Sequence, residues 1–135
     1  MTPLYQELHR WAATPFAWGE ADCILVVADW IARVHGIDLA ADLRGSYDDA
    51  ASCQRATGFL REPLRLTSER MAGAGFEVTP APVRGDVGVL LILLDGVPRP
   101  CGGLCLGDCW GVKSPRGVTT LSPKVLRAWS VGYAD

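Results

Sequence analysis

The sequence has few of the features that mark membrane proteins, nucleic-acid-binding proteins or histidine-based enzymes. Only two of its 135 residues are histidines, His9 and His35, which limits the acid–base chemistry available near neutral pH. Its longest apolar run, Val87–Leu94, has eight residues, whereas a membrane-spanning helix needs about twenty. Thirteen basic and fifteen acidic residues give a net charge of −2, so the basic surplus that holds phosphates is missing. We therefore expect neither a membrane span nor a nucleic-acid partner.

The beginning of the sequence and its cysteines indicate where the chain is made. A basic segment followed by an apolar stretch would mark a signal peptide, and the first residues show neither. We therefore expect synthesis in the host cytoplasm, with the five cysteines as reduced thiols. The length is typical of one domain, and we predict a single domain over residues 1–135.

Helical patterns fill the first half of the chain. A helix is predicted from the Thr2-Pro3 pair, a typical helix start, to about Ala12. The apolar spacing predicts a longer, central helix over residues 23–35, capped by Asp22 and ended by Gly36. Two further helices are predicted over residues 48–56 and 63–72.

After Gly75 the pattern changes to short apolar segments separated by Gly, Pro and Asp. The apolar run in the first long segment predicts a strand that is buried on both faces or covered by a partner. A last helical turn is predicted at Ser122-Pro123. The order of elements indicates an α+β domain, with a helical part at about 1–74 and an antiparallel sheet or small barrel at about 75–135. The predicted strands cover residues 76–78, 86–93, 103–106, 109–112, 118–121 and 129–133.

Cys23 has the clearest chemical potential, because it is predicted to lie in the first turn of the central helix. Free N–H groups and the helix dipole favour an anion there, which predicts a lowered thiol pKa and a better nucleophile. Cysteine is also among the residue types most often buried, so a role in packing is the simpler interpretation. For Asp22, a helix cap is likewise the simpler role.

Three segments carry a resemblance to a known family. Phe16-x-Trp18-Gly19-x-x-Asp22-Cys23 resembles the nucleophile segment of NlpC-type cell-wall peptidases, which are papain-like cysteine hydrolases. Arg84-Gly85-Asp86-Val87 resembles the start of their central sheet, and the segment 101–107 resembles their strand that begins His-Val-Gly-Ile. The resemblance extends from about residue 14 to residue 132. It implies a papain-like NlpC-type fold with Cys23 at the position of the nucleophile.

The sequence is closer still to small uncharacterised proteins encoded in phage and gene-transfer-agent tail clusters. In those proteins the Trp-Gly-x-x-Asp-Cys start is followed by Arg-Gly-x-Tyr, which is Arg44-Gly45-Ser46-Tyr47 here. This resemblance implies a virion component at a tail tip. Its expected partners are other tail-tip or baseplate proteins.

The main departure from the peptidases concerns their general base, a histidine at the position that Cys101 occupies here. His35 follows Cys23 by twelve residues, about 18 Å along a helix, which is too far for a hydrogen bond. His9 belongs to a separate helix and could approach Cys23 only in an arrangement that the family does not use. We therefore predict a degenerate peptidase fold that serves as a structural or adaptor component. Its residual pocket, for a peptide or a neighbouring subunit, is predicted at Trp18, Asp22, Cys23 and Cys101.

Two alternatives stay open. An active cysteine peptidase or amidase with Cys23 as nucleophile would cut peptidoglycan stem peptides during cell entry. A zinc site would instead use Cys101, Cys105 and Cys109, with Cys23 as fourth ligand. An extended strand places the outer two of those three about 26 Å apart, which argues against a shared ion. We predict no metal and no other cofactor.

Overall fold

The computed structural model describes residues 1–135 and shows an α+β fold in which the helices come first. Helix α1 (Pro3–Ala13) begins after Thr2, whose hydroxyl oxygen accepts the N–H of Tyr5. Helix α2 (Leu25–His35) ends at Gly36, which has a left-handed φ of 74°. The predicted helices are confirmed, with ends shifted by no more than two residues. The two remaining helices are α3 (Ala50–Thr57) and α4 (Pro63–Gly73).

Five strands follow the helices and form one open antiparallel sheet. They are β1 (Val87–Leu94), β2 (Val97–Cys105), β3 (Trp110–Ser114), β4 (Gly117–Leu121) and β5 (Lys124–Trp129). Their spatial order is β4-β3-β2-β1-β5, and each neighbouring pair is antiparallel. The predicted α+β class is confirmed, and the sheet is open because β4 and β5 are its two edges.

One face of the sheet is covered by the helices. Val87 of β1 and Leu104 of β2 pack there in a common core with Trp11 of α1 and Trp30 of α2. Helix α2 contacts β2, α4 contacts β5, and α1 contacts β3 and β4. Burial of each such side chain stabilises the fold by about 1.5–3 kcal/mol. The helices thus bury their apolar faces against the sheet. None of them has the length and hydrophobicity that a membrane-spanning helix requires.

The opposite face of the sheet carries a second core, whose buried members are all strand residues and against which Cys23 packs. Leu90 and Trp110 pack there beside Gly88 and Gly103. A Cβ atom at Gly103 would lie 2.3 Å from the Cδ1 atom of Leu90, so a larger residue there would have to displace the Leu90 side chain. Cys101 belongs to the same core and is 3% exposed.

The tip of the β1–β2 hairpin carries exposed apolar side chains. The two strands pair continuously up to Leu94 and Val97, and residues 95 and 96 form the turn. Leu93 is 72% exposed. The start of β1 is therefore buried on both faces as predicted, whereas its end is exposed because β5 pairs with β1 only as far as Leu91. For that end, cover by a partner stays a prediction.

The outer edge of β2 is free over much of its length. Strand β3 pairs only with Leu104 and Cys105 of β2. Along the free part lie Pro98 and Pro100, opposite Leu93 and Leu91 of β1. Proline has no backbone N–H to donate to a further strand, which is why it is found at sheet edges.

Three predicted elements are wrong. The closing strand predicted at residues 129–133 lies earlier in the chain, since β5 ends at Trp129. The segment after Ser122-Pro123 is not a helical turn but the start of β5, which pairs with β1 from Lys124 to Trp129. The strand predicted at residues 76–78 is reduced to an isolated bridge between Val78 and Trp129. In each case pairing with the sheet, which is non-local, decides the conformation.

Candidate functional site

The turn before α2 is held by the buried carboxylate of Asp22. Its Oδ1 atom accepts the N–H groups of Ile24 and Leu25, each at 3.0 Å. Its Oδ2 atom accepts the N–H of Gly19 at 2.9 Å and the hydroxyl of Tyr47 at 2.7 Å. Four donors thus satisfy a side chain that is 0% exposed. Asp22 supports the turn and does not itself line a cavity.

Gly19 and Tyr47 lie in direct backbone contact. A Cβ atom at Gly19 would lie 1.9 Å from the carbonyl oxygen of Tyr47, and Gly19 has a φ of +82°. The N–H of Gly45 donates to the carbonyl of Gly19 at 2.8 Å. Burial, followed by the charge of Asp22, raises the pKa of Tyr47, so its hydroxyl stays a donor. The Trp-Gly-x-x-Asp-Cys and Arg-Gly-x-Tyr motifs therefore form one packed unit.

Arg44 ties this unit to the rest of the helical part. Its guanidinium lies 2.8 Å from Asp29 of α2 and 2.8 Å from Asp38, which follows that helix. Hydrogen bonds to Arg44 hold the pKa of Asp38 below its usual value. Arg44 and Tyr47 of the Arg-Gly-x-Tyr motif thus hold the turn that carries Cys23 in place.

Cys23 and Cys101 line one cavity of about 210 Å³, together with Trp18. Phe16 packs edge to face against Trp18, with ring centroids 5.2 Å apart. The cavity is bounded by the loop after α1, the α3–α4 connection and the β1–β2 hairpin. Three of the four predicted pocket residues are therefore together, and Asp22 lies behind the turn. Most other walls are apolar, and they include Ile24, Phe59, Leu60, Ile92, Leu94 and Pro100.

The Cys23 thiol is held in its neutral form. The adjoining Cys101 thiol, then burial, then the charge of Asp22, raise the pKa of Cys23 well above its ordinary value. The predicted lowering of this pKa is wrong. Cys23 lies in the turn before α2, and the Asp22 carboxylate takes the N–H groups of Ile24 and Leu25 that would stabilise a thiolate.

Neither histidine belongs to the cavity. His9 is on the exposed side of α1. His35 lies at the far end of α2, where its Nε2 atom is 2.6 Å from the carbonyl oxygen of Val131 and its ring contacts Phe76. The Cys101 sulfur lies 3.3 Å from the carbonyl oxygen of Gly102. A thiol and a carbonyl thus stand where a cysteine hydrolase needs a proton acceptor.

The cysteines do not gather into a metal site. Cys101 and Cys105 are buried in the strand core, Cys109 packs against the helix-side core, and Cys53 lies within α3. No group of three or more His, Cys, Asp or Glu side chains is close enough to hold an ion. The zinc alternative therefore has no set of ligands here.

Lys113, which the sequence analysis did not single out, also lines the cavity. It is 1% exposed, and its ammonium group donates to the carbonyl oxygens of Trp11 and Thr14 at the end of α1. Burial lowers the pKa of Lys113. In the sequence, the signal for this buried role was a lysine directly after the apolar segment Trp110-Gly111-Val112. This side chain fixes α1 against β3.

The fold and the site together define an α+β protein with a neutral, partly buried thiol just before its central helix and an apolar cavity beside it. The chain belongs to the family described as a domain of unknown function (DUF6950), whose model matches residues 2–131. No curated protein and no solved structure matches the chain.

Proposed function

We propose that this chain is a structural or adaptor component of a phage-like tail tip, built on an NlpC-type fold that lacks the catalytic base. The observation that carries the proposal is that Cys23 faces the thiol of Cys101, where a hydrolase requires an imidazole. A general base contributes about 10²–10⁴-fold to the rate. Without one, a neutral thiol is a poor nucleophile.

The cavity supports a binding role for the same surface. Its volume of about 210 Å³ is below the roughly 300–1,000 Å³ of pockets that enclose a whole small molecule. A cavity of this size, with Phe16 and Trp18 on one side, suits a single apolar side chain presented by a peptide or a neighbouring subunit. Arg99 lies at the cavity as a charged group that can bind an acidic residue beside that side chain.

The tail-tip assignment is supported by the two motifs shared with the tail-cluster proteins. The motif residues Gly19, Asp22 and Tyr47 contact one another, and Arg44 anchors the same unit to α2. Asp22 and Tyr47 are 25 residues apart in the chain, and their contact joins the two motifs. The joined motifs support the segment that places Trp18 and Cys23 at the cavity, a role that requires no chemical reaction at Cys23.

Hydrolysis of cell-wall peptides is the test of the non-catalytic part of the proposal. Purified peptidoglycan and its soluble stem peptides are incubated with the wild-type chain and with Cys23→Ser, and products are followed by mass spectrometry. We expect no cleavage by either protein, because no histidine lines the cavity to take the thiol proton and return it to the leaving amine. Cleavage by the wild type that disappears in Cys23→Ser would establish the peptidase alternative instead.

Co-purification is the test of the tail-tip part. Tail particles of the phage or gene-transfer agent that encodes the chain should contain it at a fixed stoichiometry after density-gradient centrifugation. A Trp18→Ala variant should be incorporated less, because it removes one wall of the cavity. A chain found only free and monomeric beside complete tails contradicts the proposal.

A further inference from the structure

The two thiols at the cavity are placed so that one can reach the other. Cys23 packs against the strand core to which Cys101 belongs. A hydrogen bond with the Cys101 thiol is the largest cause of the raised pKa of Cys23. The backbones are close as well, since a Cβ atom at Gly102 would lie 2.3 Å from the carbonyl oxygen of Cys23. Both cysteines are free thiols here. Their side chains face the same cavity, so a small oxidant can enter between solvent and the pair.

We propose that Cys23 and Cys101 are a redox-active pair that forms an intramolecular disulfide with a peroxide-class oxidant. The inference does not depend on the tail-tip proposal, because it uses only the cavity that the two cysteines share and the close approach of their backbones. The other three cysteines provide no equivalent pair at this cavity. Cys53 is 0% exposed within a different core, and Cys105 and Cys109 pack on opposite faces of the sheet.

The reaction takes two steps. Cys23, the more exposed of the two, reacts through the small thiolate fraction that its raised pKa allows. The thiolate attacks one peroxide oxygen, the O–O bond breaks, and the released hydroxide takes up the thiol proton and leaves as water. The product is a sulfenic acid at Cys23. The Cys101 sulfur then attacks that sulfur, the S–S bond forms, and the S–O bond breaks to release a second water. Two thiols and one peroxide thus give one disulfide and two waters, with two electrons passing from sulfur to oxygen.

The disulfide would join the start of α2 to β2 and close the chain between residues 23 and 101. A closure of that length restricts the unfolded chain strongly, so we expect the oxidised form to melt about 10 °C above the reduced form. The same bond would withdraw both thiols from the cavity. Oxidation therefore changes the chemistry of the cavity wall without altering its aromatic side.

The experiment uses the full-length wild-type chain. The protein is treated with hydrogen peroxide at pH 7 and pH 9, free thiols are blocked, and peptides are mapped by mass spectrometry before and after reduction. We expect a linked pair of peptides containing Cys23 and Cys101, formed faster at pH 9 because the attacking species is the thiolate. The increase in melting temperature should appear with the linked peptides and disappear with dithiothreitol.

Variants make the test specific. Cys23→Ser and Cys101→Ser should each abolish both the linked peptides and the increase in melting temperature, whereas Cys109→Ser, which removes a thiol outside the cavity, should keep both. If Cys101→Ser does not fold, the peptide map of the wild type and the Cys23→Ser variant decide the question. Sulfinic acid at Cys23 with Cys101 still free, or a bond between other cysteines, would overturn the proposal.

Discussion

The two sides of the turn before α2 differ in how completely their polar groups are matched. On one side, the Asp22 carboxylate accepts four hydrogen bonds, including one from Tyr47, and is 0% exposed. On the cavity side, the neighbours of the Cys23 thiol are the Cys101 thiol and the backbone of Gly102. The buried side of the turn is therefore fully hydrogen-bonded, whereas the cavity beside Cys23 is lined by no histidine, aspartate or glutamate. The hydrogen bonds to Asp22 are needed for stability, because a buried polar group without partners costs about 1–3 kcal/mol. A neutral thiol does not need such partners.

The largest effect is expected where the two motifs touch. Gly19→Ala should destabilise the protein by at least about 4 kcal/mol or prevent folding, because the new Cβ atom would lie 1.9 Å from the carbonyl oxygen of Tyr47. Urea unfolding followed by circular dichroism measures this. Gly45→Ala is the matched control, since Gly45 has a similar φ of +73° with nothing within 4 Å, and should cost only about 1–2 kcal/mol. Equal losses in the two variants would show that the contact is not tight.

A smaller effect is expected when one donor to the carboxylate is removed. Tyr47→Phe should cost about 2 kcal/mol, because it deletes a buried hydrogen bond to a charged group. A double-mutant cycle with Asp22→Asn provides the control. In the Asp22→Asn background the loss of the hydroxyl should cost less, since its charged acceptor is gone. Additive losses would contradict a direct Tyr47–Asp22 interaction.

The smallest effect at neutral pH is expected at Cys23 itself. Cys23→Ser should change the free energy of unfolding by less than about 1 kcal/mol at pH 7, because the side chain is partly exposed and neutral. Cys53→Ser, which alters a side chain that is 0% exposed, should cost more. A large loss at Cys23 would mean that its thiol is as much a part of the support as Asp22.

The pH dependence sharpens the same contrast. Since folding raises the pKa of Cys23, the unfolded chain ionises first as the pH increases, and the stability contributed by the neutral thiol is lost above the ordinary thiol pKa of about 8.5. The wild type should therefore lose more stability than Cys23→Ser between pH 7 and pH 10. Labelling of Cys23 by iodoacetamide should be slow at pH 7 and increase over the same range. Fast labelling at pH 7 would indicate a lowered pKa.

The helices and the class of fold could be predicted because their signals are local. Thr2-Pro3 starts α1 and Gly36 ends α2 through contacts within a few residues. The strand ends could not be predicted in this way. Pro98 and Pro100 argue against a strand from composition, yet β2 includes them because its free edge needs no N–H there.

The candidate site shows the same division. The position of Cys23 next to the start of a helix follows from local pattern, whereas its neutral state depends on Cys101, 78 residues later. The role of Tyr47 also depends on a distant partner, since its hydroxyl binds Asp22. Long-range packing decides both, and one sequence contains no direct record of it.

The two prolines on the outer edge of β2 bear on how this protein can associate with others. A docking chain that tried to extend the sheet would find Pro98 and Pro100 without donors, so main-chain pairing at this border is weak. The apolar hairpin tip is therefore guarded against stacking into fibrils despite its exposed Leu93. A neighbour that docked at this end of the molecule would therefore have to be recognised by its side chains and not by backbone hydrogen bonds.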